Sequence, residues 1–215
     1  MLEEWLQPFW TNTLYDDFVH KRLEGTCDWI LDSPEFLAWQ SPKPDQAKIL
    51  WVYGPPGYGK TILCSRMIQH ISSVSAGPLA YFFFSSELNP RADPFVVLRS
   101  LVTQIISQSD KAFGLAREEF TSAISRTASN MEIKRLFKAI IQNIPGCVFV
   151  VDGLDECPAT DGTDYRGTLS SLLQCVRQAV SGGQSRVLVT SRDIQEIRNA
   201  LDGNGNGPNK ELIEL

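Results

Sequence analysis

The residues with the clearest chemical capacity are Gly54-Pro55-Pro56-Gly57-Tyr58-Gly59-Lys60-Thr61, leading into Ile62 and an amphipathic segment. They match GxxxxGK[ST] at every specified position, the pattern in which a glycine-rich loop curls its backbone N–H groups inward as a nest for phosphate oxygens. Positive φ at Gly54, Gly57 and Gly59 is the expected route to that curl. A helix beginning at Lys60 adds unpaired N–H groups and about half a positive charge. Lys60 is then a mobile cation for the β and γ phosphates, and the Thr61 hydroxyl is a hard oxygen ligand for Mg2+. The expected ligands are a nucleoside triphosphate, ATP or GTP, with Mg2+, held by the residues from Gly54 to Ile62.

A second set follows an apolar run: Val150-Val151-Asp152-Gly153-Leu154-Asp155-Glu156. A carboxylate at the carboxyl end of a buried parallel strand emerges where such sheets bind ligands, so Asp152 is the expected outer ligand of Mg2+. Glu156 is the candidate for orienting or deprotonating an attacking water, with Asp155 as the alternative or as a second organiser of the metal. Three carboxylates repel a triphosphate unless a divalent cation lies between them. A third run ends in Thr190-Ser191-Arg192, where the planar guanidinium of Arg192 is suited to sense a γ phosphate. Surface pairing with Asp193 or Glu196 is the other reading of Arg192.

These groups need strands to deliver them to one edge. Five short apolar runs read as strands: 49–53, 79–84, 147–151, 186–190 and, at the end, 211–215. Helix-length amphipathic segments separate them at 60–73, 94–107, 110–126, 131–143 and 165–180. Apolar strands alternating with helices predict an α/β fold with a mostly parallel five-stranded sheet flanked by helices. Before the first strand, residues 1–45 are rich in Trp and Phe at roughly helical spacing and predict a short helical segment. The prolines of Ser41-Pro-Lys-Pro-Asp-Gln46 break it from the core at 46–215. Trp29 and Trp39 are expected to pack these helices onto the sheet. The Gly/Asn-rich stretch 202–209 reads as a surface loop.

Composition narrows the class of partner. Twenty Lys and Arg against 25 Asp and Glu give a net charge of -5, so no global positive field draws the chain onto nucleic acid or anionic lipid. Any polyanion must bind locally. The acidic start Met1-Leu-Glu-Glu is unlike a secretory signal and no run is long enough to span a bilayer, so a cytoplasmic protein is expected. Five cysteines without a CxxC pair suggest neither a disulfide framework nor a zinc site.

Taken together, Gly25-Thr-Cys-Asp-Trp-Ile30, the loop at 54–61, Tyr81-Phe-Phe-Phe84, Asp152-Gly-Leu-Asp-Glu156 and Val189-Thr-Ser-Arg192 resemble the NACHT NTPase domain, in its fungal and nephrocystin-type branch of the STAND signalling class. The resemblance implies that the strand carrying Arg192 lies between those carrying Gly54 and Asp152. It further implies a nucleotide-controlled switch with slow hydrolysis, whose nucleotide state governs opening and self-association. It places Gly25 to Trp29 near the base, where Trp29 is also able to stack. The helical and winged-helix modules that follow in the family are not within these 215 residues. The alternative expectation is therefore a nucleotide-binding scaffold or fragment without turnover of its own, docking partners through its aromatic amino-terminal segment.

Overall fold

The computed structural model describes residues 1–41, 43, 47–85, 94–157, 165–181, 183–202 and 210–215, excepting the side chains of residues 12 and 165–168. Five strands, Ile49–Tyr53 (β1), Leu79–Phe83 (β2), Val148–Asp152 (β3), Arg186–Ser191 (β4) and Lys210–Glu214 (β5), form one parallel sheet in the order β2-β3-β4-β1-β5. Each of the expected strands is present to within a residue at either end. β4 lies between β1 and β3, as the resemblance implied.

The strands read as continuous apolar runs because both faces of the sheet are covered. In β1, Ile49, Trp51 and Tyr53 face one core while Leu50 and Val52 face the other. The helices are Leu2–Leu6 (α1), Asn12–Lys21 (α2), Pro34–Gln40 (α3), Lys60–Val74 (α4), Val96–Ile106 (α5), Asp110–Ser122 (α6), Asn130–Asn143 (α7), Tyr165–Val180 (α8) and Gln195–Asp202 (α9), with 3-10 helices at Asp28–Asp32 and Leu154–Glu156. One core gathers side chains of α1 and α5 to α9 beneath the sheet, and the other those of α3 and α4.

The amino-terminal helices share both cores. Trp5 of α1 is fully buried and meets Phe120 of α6 edge-on at 5.7 Å. Trp39 of α3 is buried, and its indole N–H donates to the carbonyl of Val187 at 3.1 Å and that of Lys48 at 3.4 Å. It thereby clasps the starts of β4 and β1. Trp29 departs from the expectation: it is 54% exposed, because the 3-10 helix turns Ile30 inward in its place.

Two helices differ from the sequence reading. α6 stops at Ser122 rather than continuing to residue 126, and the Ser122 hydroxyl donates back to the carbonyls of Glu118 and Glu119, satisfying terminal acceptors of the helix. α9 was not foreseen; its Ile197 and Leu201, four residues apart, are buried and anchor an otherwise polar turn pair. The proline break at 41–46 and the stretch at 203–209 lie largely or wholly outside the described residues.

The outer edge of β2 is finished by side chains. Gln108 accepts from the Leu79 N–H at 3.0 Å and donates to the Leu79 carbonyl at 2.7 Å. Gln104 does the same at Tyr81, at 3.0 and 2.8 Å, and the Thr11 hydroxyl accepts from the Phe83 N–H at 3.4 Å. Gln104 of α5, Gln108 just beyond it and Thr11 thus stand where a sixth strand would pair.

Candidate functional site

The parallel order carries the carboxyl ends of β3, β4 and β1 side by side. Val52 is level with Thr190 and Val151 with Val189, so Asp152, Thr190 and the start of the glycine loop meet at one edge. They line a cleft of about 380 Å3 with Pro56, Gly57, Gly59, Lys60, Thr61, Ile62, Gly153, Asp155, Glu156 and Arg192.

The loop runs from β1 into α4. Gly57 and Gly59 have φ of 82° and 75°, the left-handed region, and Gly59 is the N-cap of α4. Gly54 is not among the positive-φ residues. Its side-chain-free Cα answers a different need: a Cβ there would lie 2.9 Å from the Leu215 carbonyl oxygen and 3.0 Å from the Leu215 Cβ. The residue admits the chain that leaves β5 rather than curling the loop. Lys60 Nζ donates to the carbonyls of Gly54 at 2.8 Å and Pro55 at 2.7 Å, which places its charge at the mouth of the nest. Tyr58 is 62% exposed and does not line the cleft.

Thr61 and Asp152, 91 residues apart, are joined directly: Thr61 Oγ1 donates to Asp152 Oδ2 at 2.9 Å. Asp152 is 2% exposed and also accepts a short hydrogen bond from the Thr190 hydroxyl. Thr190 Oγ1 in turn accepts from the Gly153 N–H at 3.2 Å. Burial pushes the Asp152 carboxyl up to about 6, against the pull of the hydrogen bonds from Thr190 and Thr61, and the charges of Glu156 and Asp155 push the same way as burial. The Cys64 thiol, fully buried one turn into α4, is raised by burial and by its contact with Asp152. Asp152 and Thr61 together present hard oxygen donors of the kind Mg2+ takes, so the residues fit that ion.

Gly153 has φ of 69° and starts the 3-10 helix that carries Asp155 and Glu156. These carboxylates take different environments. The Asp155 side chain is 5% exposed and is bound by Arg192 twice, by Nε at 2.5 Å and by the backbone N–H at 2.9 Å. Glu156 stands at the surface of the cleft. The partner of Arg192 is thus Asp155 rather than Asp193, which pairs with Arg198 at 2.7 Å. Thr190, which the sequence marked only as part of the run ending in Arg192, holds the metal-ligand candidate Asp152 in place.

A second hollow of about 280 Å3 adjoins the cleft through Gly59 and Ile62 and is lined by Lys21, Leu23, Thr26, Cys27, Trp29, Tyr58, Leu63 and Leu215. Asp28 fixes this wall to α4 by pairing with Arg66 at 2.5 Å. Among the described residues no helix is long and apolar enough to cross a membrane.

A parallel sheet in this order, with a GxxxxGK[ST] loop after β1 and an aspartate ending β3, defines the P-loop NTPase fold of the α/β class. The family model described as Nephrocystin 3, N-terminal, matches residues 25–192, and the chain belongs to that family. It is similar to the vegetative incompatibility protein HET-E-1 of Podospora anserina, with 27% identity over 189 residues that cover 84% of this chain and 13% of that protein. The chain therefore spans a small part of that relative's length. Among solved structures it is similar to the Walker-type ATPase PABY2304 of Pyrococcus abyssi (12% identity, TM-score 0.46, 78% of this chain and 49% of that one). It is also similar to the ORC2 protein of Aeropyrum pernix (13% identity, TM-score 0.49, 91% and 48%).

Proposed function

We propose that the chain binds a nucleoside triphosphate with Mg2+ and hydrolyses it slowly, as the nucleotide-switch module of a NACHT-type signalling protein. The observation that carries the proposal is the hydrogen bond of 2.9 Å between Thr61 and Asp152, which joins the phosphate loop to the acidic strand end around a single cleft.

In this reading the N–H groups of the loop and of the α4 start receive the phosphates. Lys60 leaves the loop carbonyls for the β and γ oxygens. Thr61 and Asp152 hold Mg2+, which supplies charge neutralisation at the phosphates. Glu156, exposed and beside them, orients the attacking water and takes its proton. Arg192, fixed by Asp155, presents the rest of its guanidinium toward the γ position and reports its occupancy. The hollow walled by Trp29 and Tyr58 takes the base, offering aromatic faces to either purine.

The experiment is a single-turnover and steady-state comparison of the wild type with Glu156→Gln. Retained nucleotide affinity with turnover at least tenfold slower supports the assignment. Equal turnover removes Glu156 from the mechanism.

A further inference from the structure

We infer that the outer edge of β5 is a self-complementary docking strand, through which two copies of this chain join their sheets in antiparallel pairing about Leu212. This is independent of what the phosphate loop binds. The two edges of the sheet are finished differently. The open backbone groups of β2 are occupied by Gln108, Gln104 and Thr11. No such cover stands over β5 among the described residues. The Leu215 N–H donates inward to the Tyr53 carbonyl at 2.9 Å, and the two-residue alternation of a strand turns the N–H and C=O groups of Glu211 and Ile213 the same way. Lys210, Leu212 and Glu214 therefore present theirs outward.

The order of charges identifies the occupant. Antiparallel pairing centred on Leu212 sets Lys210 opposite Glu214 of the second copy, and Glu214 opposite its Lys210, so a cation meets an anion at both ends. The same register makes every outward residue a hydrogen-bonded pair, for about six backbone hydrogen bonds. In-register parallel pairing would set Lys210 against Lys210 and Glu214 against Glu214. A slip of two residues loses both charge pairs. Lys210 and Glu214 already lie on one face of the sheet, held there by Asp202 and by the Tyr53 hydroxyl respectively, so across the two-fold they stand side by side. The two-fold closes the assembly at a dimer, and the amide-covered β2 edge stops further growth.

The test is sedimentation velocity of the chain, without nucleotide, over a wide concentration range. A reversible monomer–dimer equilibrium is expected. Leu212→Pro removes an outward N–H while leaving the bonds between β1 and β5 intact, a change edge strands tolerate. It should weaken association at least tenfold, about 1.4 kcal/mol. Lys210→Glu and Glu214→Lys should each weaken it comparably, and the double exchange should restore it. Thermal melts of the dilute proteins establish that each variant is folded. In hydrogen exchange by NMR, the amides of Leu212 and Glu214 should slow with rising concentration while that of Ile213 does not change. A chain that stays monomeric throughout, a dimer indifferent to Leu212→Pro, or a double variant no tighter than the single ones would overturn the inference.

Discussion

Replacing Thr190 by Val preserves its β-branched shape and removes the hydroxyl that binds the two halves of the acidic strand end. Thr190 is 1% exposed, donates to Asp152 and accepts from the Gly153 N–H at 3.2 Å. In Thr190→Val the buried carboxylate loses a charge-assisted bond and the N–H loses its acceptor. Bonds to charged groups contribute roughly 1.5–3 kcal/mol and an orphaned buried donor costs about 1–3 kcal/mol. Because Thr190 and Asp152 line the cleft, water replaces part of the loss, which leaves about 2 kcal/mol. For a chain of this size that is a fall in Tm of about 4–8 °C. Thr190→Ser keeps the hydroxyl and should recover most of it. Urea and thermal unfolding in the presence of a chelator reads the stability, and a titration with labelled nucleotide and Mg2+ reads the site, where affinity should fall as Asp152 loses its orientation. Thr190→Val within about 0.5 kcal/mol of wild type, or Thr190→Ser as damaging as Val, would show that the hydroxyl does not hold Asp152.

Gly77→Ala places a Cβ 2.2 Å from the Gly146 carbonyl oxygen and 2.7 Å from its carbon, backbone atoms that yield only by separating the turn that enters β2 from the turn that enters β3. It should cost about 3 kcal/mol or more in a denaturant titration. Gly146→Ala, whose nearest neighbour is 3.9 Å away and whose φ is 75°, should cost only the left-handed strain of about 1–2 kcal/mol. At α7, the Ser129 hydroxyl and N–H both bind the Glu132 carboxylate and hold its pKa below the usual carboxylate range. The folded value is the lower one, so the stabilisation is present above the unfolded pKa and is lost as pH falls through the folded one. The stability difference between wild type and Glu132→Gln should therefore be visible at neutral pH and vanish in acid, as followed by urea unfolding across pH.

The strands were legible because burial on both faces leaves uninterrupted apolar runs such as Ile49 to Tyr53, and the loop because its glycine and lysine spacing belongs to one chemistry. What escaped the sequence depends on contacts between distant segments. Gly54 is a glycine because Leu215 passes against it, a proximity that only the β1–β5 pairing creates. Thr190 holds Asp152 because β3 and β4 are neighbours in register, and from its type alone it was indistinguishable from a surface-facing strand residue. Trp29 is exposed beside the phosphate loop because Ile30 fills the core position, a choice that one-residue helical phase decides. α9 is short and mostly polar, with Ile197 and Leu201 as its only buried residues, too few for a periodic signal.

Native mass spectrometry of the wild type and Lys60→Ala, each with ATP or GTP and Mg2+, reads directly whether the loop from Gly54 to Thr61 holds a nucleotide. Among the described residues the Lys60 ammonium hydrogen-bonds to two loop carbonyls and to no side chain, so its loss should leave the fold intact. One bound nucleotide with Mg2+ per wild-type chain and at least a tenfold loss of occupancy in Lys60→Ala are expected. Equal occupancy in both proteins, or none in the wild type at saturating nucleotide, would contradict this.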